Sequence, residues 1–435
     1  MTATPKVAKQ TEIVVVGGGV AGAAAALLLA NQDRTVTVID SQPLATDWPG
    51  NDLDPRVIAL SPGSASILES VGAWPLAHPE RIAAYHRMQV CSGRGQVRFQ
   101  ADQHGLTTLG WIVEIPALRQ ALWEQLEGHS NVELLCPAQV VSLDQADLHQ
   151  SEQKQASVRI KLDDGTRLRA ELVIAADGSR SRLRQAAGIK LDEWHYNQHA
   201  LIAPIRTDHP NKGIAWQRFT EHGPLALLPL PDGRSSIVWS QSSDRALKQS
   251  NGQDDASVDE LVDELNRHQD SPMGKVTEIG ARHALPLIRR RAHQLVRGRL
   301  VLIGDAARSV HPLAGQGQNL GLADAAALAE CIAEGSNNRF NDRSNARLTA
   351  TSAHQSLDRA LRRYQRWRRS ASEMVGGGIH AINETARLPM GLGQHVLGAG
   401  FIAANALWPA REMLIERACG FDSDSPELAQ RARLA

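Results

Sequence analysis

Six residues, Gly17-Gly18-Gly19-Val20-Ala21-Gly22, stand between a short β-branched run (12 to 16) and a stretch rich in alanine and leucine (23 to 30). Gly17 permits a tight turn, Gly19 lets the backbone approach a pyrophosphate, and Gly22 lets the helix pack closely on the strand. The helix start adds free N–H groups and the positive end of a dipole. A second β-branched run, 35 to 39, ends on Asp40, whose carboxylate suits ribose hydroxyls. Strand, glycine turn, helix, strand and acid follow in the order that a dinucleotide site requires. The motif alone does not separate FAD from NAD.

Two further strand ends carry polar residues. The run 172 to 176 leads into Asp177-Gly178-Ser179-x-Ser181-x-x-Arg184, in which Ser179 or Ser181 could equally be a helix cap. The run 300 to 303 leads into Gly304-Asp305-Ala306-Ala307-Arg308-Ser309-Val310-His311-Pro312. Gly315-Gln316-Gly317-Gln318-Asn319-Leu320-Gly321 then opens a helix expected over 322 to 332. N–H groups at that start could hold an electron-rich ligand.

The middle of the chain has a different period. Strand-like runs at 216–220, 225–230 and 235–239 are separated by Glu221-His222-Gly223-Pro224 and Pro231-Asp232-Gly233. This reads as an antiparallel meander, and Tyr85 to Phe99 is expected to add strands to it. The fold class is therefore α/β: a Rossmann-like dinucleotide-binding domain, interrupted by an antiparallel-sheet domain and followed by a C-terminal helical region. The expected limits are 1–84, 116–193 and 285–350 for the first domain, 85–115 and 194–284 for the second, and 351–435 for the helical region. A helix is expected over 243–270 and a loop over 335–355.

Lys+Arg and Asp+Glu both number 47, so the basic excess of a nucleic-acid binder is missing. The four cysteines are far apart, with no CxxC or Cys/His cluster, so neither a zinc site nor a disulfide framework is expected. No signal-peptide pattern and no run of about 20 apolar residues is evident. A cytoplasmic setting is expected.

On these motifs, in this order and spacing, the chain resembles the class A FAD-dependent aromatic hydroxylases. Within them it resembles the UbiH/UbiF/UbiI group of ubiquinone-biosynthesis hydroxylases. Asp54-Pro55-Arg56-Val57-Ile58-Ala59-Leu60-Ser61 and the run Gln217 to Leu230 carry the same likeness. The resemblance covers about residues 10 to 370 and implies that the first domain is an FAD-binding Rossmann-like domain of glutathione-reductase type and the second an antiparallel-sheet substrate domain, with bound FAD and with NAD(P)H and O₂ as co-substrates. It implies monooxygenation of a polyprenyl phenol through a C4a-hydroperoxyflavin. Gly17, Gly19, Gly22 and Asp40 would hold the ADP half. Arg56, Arg119, Asp177, Gly304, Asp305, Gly315, Gln316, Gly317 and Asn319 would meet the rest of the cofactor. Many members carry histidine where this chain has Arg308. His311 is the candidate catalytic residue, and no metal is implied. Trp216, Phe219, Leu227, Pro229 and Pro312 are candidates for the substrate pocket.

A related flavoprotein, such as a prenyl reductase, or a non-enzymatic nucleotide-binding scaffold are the competing readings. A halogenase is disfavoured, because Trp111-Ile112-Val113 lacks a second tryptophan. A polyprenyl substrate implies contact with a membrane or with other ubiquinone-biosynthesis proteins. Arg359, Arg362, Arg363, Arg366, Arg368 and Arg369, interleaved with Leu361, Tyr364 and Trp367, suggest a basic amphipathic helix at the inner membrane. The apolar run 391–408 follows.

Overall fold

The computed structural model describes residues 9–45, 53–54, 57–144, 157–252, 255–311, 315–341, 350–388 and 392–433. Arg56 and Pro312 lie outside the described residues.

The first sheet is built around Lys9–Val16, which pairs in parallel with Arg167–Ala175 on one side and Val36–Ile39 on the other. Leu300–Leu302 extends it beyond Arg167–Ala175, and Val132–Leu135 beyond Val36–Ile39, again in parallel. Parallel strands are covered on both faces and so carry apolar residues at successive positions. Val14, Val15, Val38, Val173, Ile174 and Val301 are accordingly all fully buried. The helix Val20–Ala30 covers one face with small residues. That size matters, because Ala21 Cβ is 3.2 Å from where a Cβ on Gly304 would sit and 3.1 Å from one on Gly321. The glycine-loop helix and the helix Gln316–Asn341 can therefore approach closely. The latter begins before the expected 322 and runs through Gly335, so the loop expected over 335–355 is corrected at 335–341 and, by the helix that starts at Ala350, at 350–355; residues 342–349 lie outside the described residues. Gly335 meets Ser356 of the next helix, and a Cβ there would be 3.1 Å from Ser356 Oγ.

The second sheet is antiparallel apart from one parallel pair. Its central strand, Leu191–Thr207, lies between Ser235–Ser242 and His283–Ala292. The meander Ile214–Thr220, Gly223–Pro229 and Ser235–Ser242 follows the two turn signals. Arg87–Ser92 joins it in parallel, with Gly95–Gln100 beyond. Two helices, Ser243–Asn251 and Asp255–His268, replace the single one expected over 243–270. Leu261 and Leu265 pack on the outer face of the sheet with Trp216, Leu227 and Trp239. Val57–Leu60, Gly110–Glu114 and Ile82–Tyr85 form a separate three-stranded sheet.

The helix Ala350–Ala386 packs on the first domain. Leu361 and Tyr364 belong to its core, and the Tyr364 hydroxyl donates to the Leu302 carbonyl at 3.0 Å. Arg368 is buried against Asp324, Arg363 pairs with Glu330 at 3.8 Å, and Arg369 with Glu373 at 3.0 Å. The apolar face of the expected basic amphipathic helix is thus engaged by protein, as are Arg363, Arg368 and Arg369, while Arg359, Arg362 and Arg366 are exposed. The next helix, Leu392–Ala406, lies on the second sheet, where a Cβ on Gly95 would stand 2.0 Å from the Gly398 carbonyl oxygen. Only glycine allows that approach. No helix among the described residues is long and apolar enough to cross a membrane.

Candidate functional site

The polar residues singled out from the sequence fall at the carboxyl ends of four adjacent parallel strands. In spatial order these ends lead to Gly304-Asp305, Asp177, Gly17 and Asp40. Neighbouring strands lie about 4.8 Å apart, so the row spans roughly 14 Å, a scale suited to an elongated ligand. Ligands of open α/β sheets bind outside these ends.

Gly17 has φ +106°, and a Cβ there would meet the Ala176 carbonyl oxygen at 2.3 Å. A Cβ on Gly22 would meet the Gly17 carbonyl oxygen at 2.0 Å. These two glycines answer to the protein itself. Gly19 differs, since a Cβ there would meet nothing within 4 Å. Asp40 Oδ2 accepts the Gly18 N–H at 2.6 Å, and Oδ1 accepts the Gln42 N–H at 2.8 Å. Arg119 Nη2 stands 3.4 Å from Asp40 Oδ2 and donates to the Gln42 carbonyl at 2.5 Å. Trp123 was not anticipated. Its indole N–H donates to the Gly18 carbonyl at 2.7 Å, and its ring carries the Arg119 guanidinium at 4.7 Å.

At the second strand end Ser181 caps the helix Arg182–Ala186, accepting the Arg184 N–H at 3.0 Å. Arg184 is 2% exposed and braces two loops, donating to the Ala306 carbonyl at 2.9 Å and the Ser179 carbonyl at 3.1 Å. Burial lowers its pKa, which Asp177 partly offsets. Asp177 Oδ2 accepts the Leu183 N–H at 3.2 Å, whereas Oδ1 is buried without a hydrogen-bond partner.

At the third end Asp324 is fully buried and accepts the Gly304 N–H at 3.0 Å, the Arg368 Nε–H at 2.7 Å and a bond from Arg308. Arg308 thus serves the support of the loop. Asp305 is exposed to the cavity between this loop and the second sheet. Confinement by surrounding protein raises its carboxyl pKa, against the pull of Arg308 and Arg290. Gly315 has φ +60°, and a Cβ there would lie 2.8 Å from Ala59 Cβ. Asn319 donates to the Ala59 carbonyl at 2.8 Å and accepts the Ser61 N–H at 3.1 Å, tying the loop to Val57–Leu60.

The cavity has a volume of about 490 Å³. Asp305, Gly315, Gln316, Gly317 and Asn319 form one side; Ala200, Ile202, Ala215, Ala226, Leu228 and Val238 form the other. The expected roof residues need correction. Trp216 and Leu227 belong to the core on the opposite face, packed on Leu261 and Leu265. Pro229 shares the strand parity of Leu227. Phe219 has the parity of the cavity face but packs on Phe401 of the C-terminal helices at 5.9 Å. Side chains alternate across a strand, so the wall consists of the neighbours of the expected residues. Gln217 and Tyr85 also line the cavity and were not anticipated; burial raises the Tyr85 pKa.

His311 is 2% exposed, and neither ring nitrogen has a partner among the described residues. Burial, with a smaller contribution from Arg387, lowers its pKa to about 4. Its ring meets Tyr196 edge-on at 5.2 Å, and the Tyr196 hydroxyl bonds His380 Nδ1 at 3.1 Å.

These features fit a dinucleotide with a ring system at one end. Cβ atoms at Gly19, Gly178 and Gly317 would meet only open space, and Asp177 Oδ1 has no partner. The FAD binding domain family matches residues 10–360. The chain is 36% identical over 323 residues to the 3-demethoxyubiquinol 3-hydroxylase of Escherichia coli, covering 74% of this chain and 79% of that one. It is 34% identical over 310 residues to the mitochondrial ubiquinone biosynthesis monooxygenase COQ6 of Xenopus tropicalis, covering 64% and 67%. The solved structure of p-nitrophenol 4-monooxygenase PnpA from Pseudomonas putida superposes with a TM-score of 0.69 at 19% identity, over 95% of this chain and 100% of that one.

Proposed function

The chain belongs to the FAD binding domain family, among the flavin-dependent aromatic hydroxylases of ubiquinone biosynthesis, and from that premise we propose that it hydroxylates the phenol ring of a polyprenylated ubiquinone precursor with NAD(P)H as reductant. The observation that carries this reading is the cavity itself. A glycine-rich helix start with Asp305 faces an apolar sheet wall, leaving room for a flat ring between them.

The dinucleotide half of FAD would lie across Gly17, Gly19 and Gly22, with Asp40 and Arg119 at its ribose end. Asp177 would use its unpaired Oδ1. Gly304, Asp305, Gly315, Gln316 and Gly317 would face the flavin half. Asn319 spends its amide on Ala59 and Ser61, so we assign it to holding the loop. Bound there, the flavin supplies reducing equivalents and activates O₂. The protein's part is to exclude water and orient the ring. Ile202, Leu228 and Val238 provide the dry surface, and Gln217 and Tyr85 the polar groups that can orient a phenol. A histidine held near a pKa of 4 is neutral at physiological pH and a weak acceptor for a phenol proton. We therefore assign His311 a positioning role through Tyr196.

We further propose that peripheral membrane contact uses the C-terminal helices Leu392–Ala406 and Trp408–Cys419 with Leu407 between them, where Leu392, Val396, Ile402, Leu407, Met413 and Leu414 are exposed. Scattered exposed apolar residues are ordinary, but a concentration of this kind marks an interaction surface.

The test is turnover. FAD-loaded protein, NADPH, O₂ and a short-chain prenyl methoxyphenol should yield a ring-hydroxylated product by mass spectrometry. NADPH oxidation that the phenol neither accelerates nor converts into product would refute the reading.

A further inference from the structure

We propose that Glu221, His222 and His268 form a binding site for one divalent transition-metal ion of the zinc class, on the sheet face opposite the cavity. One ligand atom from each lies within 4.8 Å of the others. Glu221 and His222 occupy the turn between Ile214–Thr220 and Gly223–Pro229, while His268 is the last residue of Asp255–His268. The site is invisible to a search for closely spaced ligands, because the fold brings its parts together.

The distances are those of a site a short step from closing. His222 Nε2 lies 3.8 Å from Glu221 Oε1, and the two imidazole rings meet edge-on with centroids 5.1 Å apart. Zinc held at about 2.0–2.1 Å by N and O ligands in a tetrahedron needs them roughly 3.4 Å apart. Rotation of the exposed Glu221 side chain and small ring movements supply the difference. Two imidazoles and a carboxylate favour zinc, cobalt or nickel over magnesium or calcium, which prefer all-oxygen shells.

The supporting elements are rigid. The Thr220 hydroxyl donates to the Gly223 carbonyl at 2.7 Å and accepts the His222 N–H at 3.2 Å, fixing the turn. Leu261 and Leu265 anchor the helix that carries His268 in the core beside Trp239. Glu264 lies 3.8 Å from His222 Nε2 and 4.0 Å from His268 Nε2, but it is paired with Arg245. Glu264 and Arg245 offset each other, leaving Glu221 as the anionic ligand. The ion would tie the hairpin to the helix and stabilise the outer side of the substrate sheet.

Calorimetric titration of Zn²⁺ into the untagged, chelator-treated, FAD-loaded full chain should show one ion bound per chain. His222→Gln and His268→Gln should each weaken binding roughly tenfold or more. Glu221→Gln, at an exposed position, should weaken it with flavin content unchanged. Co²⁺ should give the visible d–d absorption of a four-coordinate site. The proposal is overturned if wild-type protein binds no ion, or if both histidine variants bind as wild type does. Should the histidine variants fail to fold, Glu221→Gln and the Co²⁺ spectrum decide.

Discussion

The side-chain amide of Asn319 donates to the backbone carbonyl of Ala59 at 2.8 Å, joining the start of the helix Gln316–Asn341 to the strand Val57–Leu60, which also lines the cavity. The same amide accepts the Ser61 N–H at 3.1 Å, and Asn319 is 7% exposed. Replacement by Ala would leave both backbone groups without this partner in a buried place. Asn319→Ala should lose about 2 kcal/mol in urea unfolding and release FAD more readily on dilution. Unchanged stability with unchanged FAD retention would show the clamp to be dispensable.

Gly17 and Gly19 should part company. Gly17→Ala drives a Cβ into the Ala176 carbonyl and needs φ +106° from an L side chain, so loss of folding by about 3 kcal/mol or more is expected. Gly19 has φ −70° and open space beside it, so Gly19→Ala should leave the melting temperature of the apoprotein unchanged. Its added methyl would occupy the ligand's room and weaken FAD binding by roughly tenfold, about 1.4 kcal/mol. Fluorescence titration with FAD separates the two outcomes.

Strand parity sets a similar contrast between Ala226 and Leu227. Leu227→Ala opens a hole in the core beside Trp216 and should cost about 2–5 kcal/mol of stability, with KM for the phenol little altered. Ala226→Phe fills the cavity from the other face and should raise KM while denaturation is nearly unchanged. The opposite pattern would place the substrate outside this cavity.

His311 makes stability depend on pH. Its folded pKa of about 4 lies below the ordinary value of 6.5, so between these values the unfolded chain binds the proton and the folded one does not. Stability is fully present above about pH 6.5 and is lost as pH falls through 4, by roughly 3 kcal/mol in total. His311→Leu should flatten this part of the profile of unfolding free energy against pH. A profile equally steep in the variant would assign the effect to other groups.

Lipid contact is tested by liposome flotation of the FAD-loaded chain. Replacing Val396, Ile402 and Leu407 by Ser should reduce co-flotation several-fold and leave oxidation of NADPH with a soluble phenol unaltered. Arg362→Gln and Arg366→Gln should change flotation little. Loss of flotation in the arginine variants alone would return the contact to the earlier helix.

Features whose cause is local could be read from the sequence. Gly17 and Gly22 are legible because a backbone atom already occupies the place of a Cβ, and a strand flanked by turn residues reveals the meander. What stayed hidden depends on partners far away in the chain. Trp216 and Ala215 are both buried, so hydropathy cannot say which of them faces the cavity. Arg184 closes the motif that begins at Asp177, and only its partners at Ala306 and Ser179 show it to be a brace. Trp123 and Tyr85 lie in no motif, and Gln217 opens a family-like run that does not say which way its side chain faces. Arg368, Arg363 and Arg369 of Ala350–Ala386 look like three more surface cations until Asp324, Glu330 and Glu373 are placed beside them.

The meander separates two tasks by the pleat of its strands. In Ile214–Thr220, Trp216 answers to a packed interior, whereas Ala215 and Gln217 face the cavity. Such a sheet can drift in the guests it admits by changing every second residue while its melting behaviour stays put. Relatives acting on different carbons of one ring could therefore diverge by a handful of exchanges at alternate sites, with the cofactor's cradle left untouched.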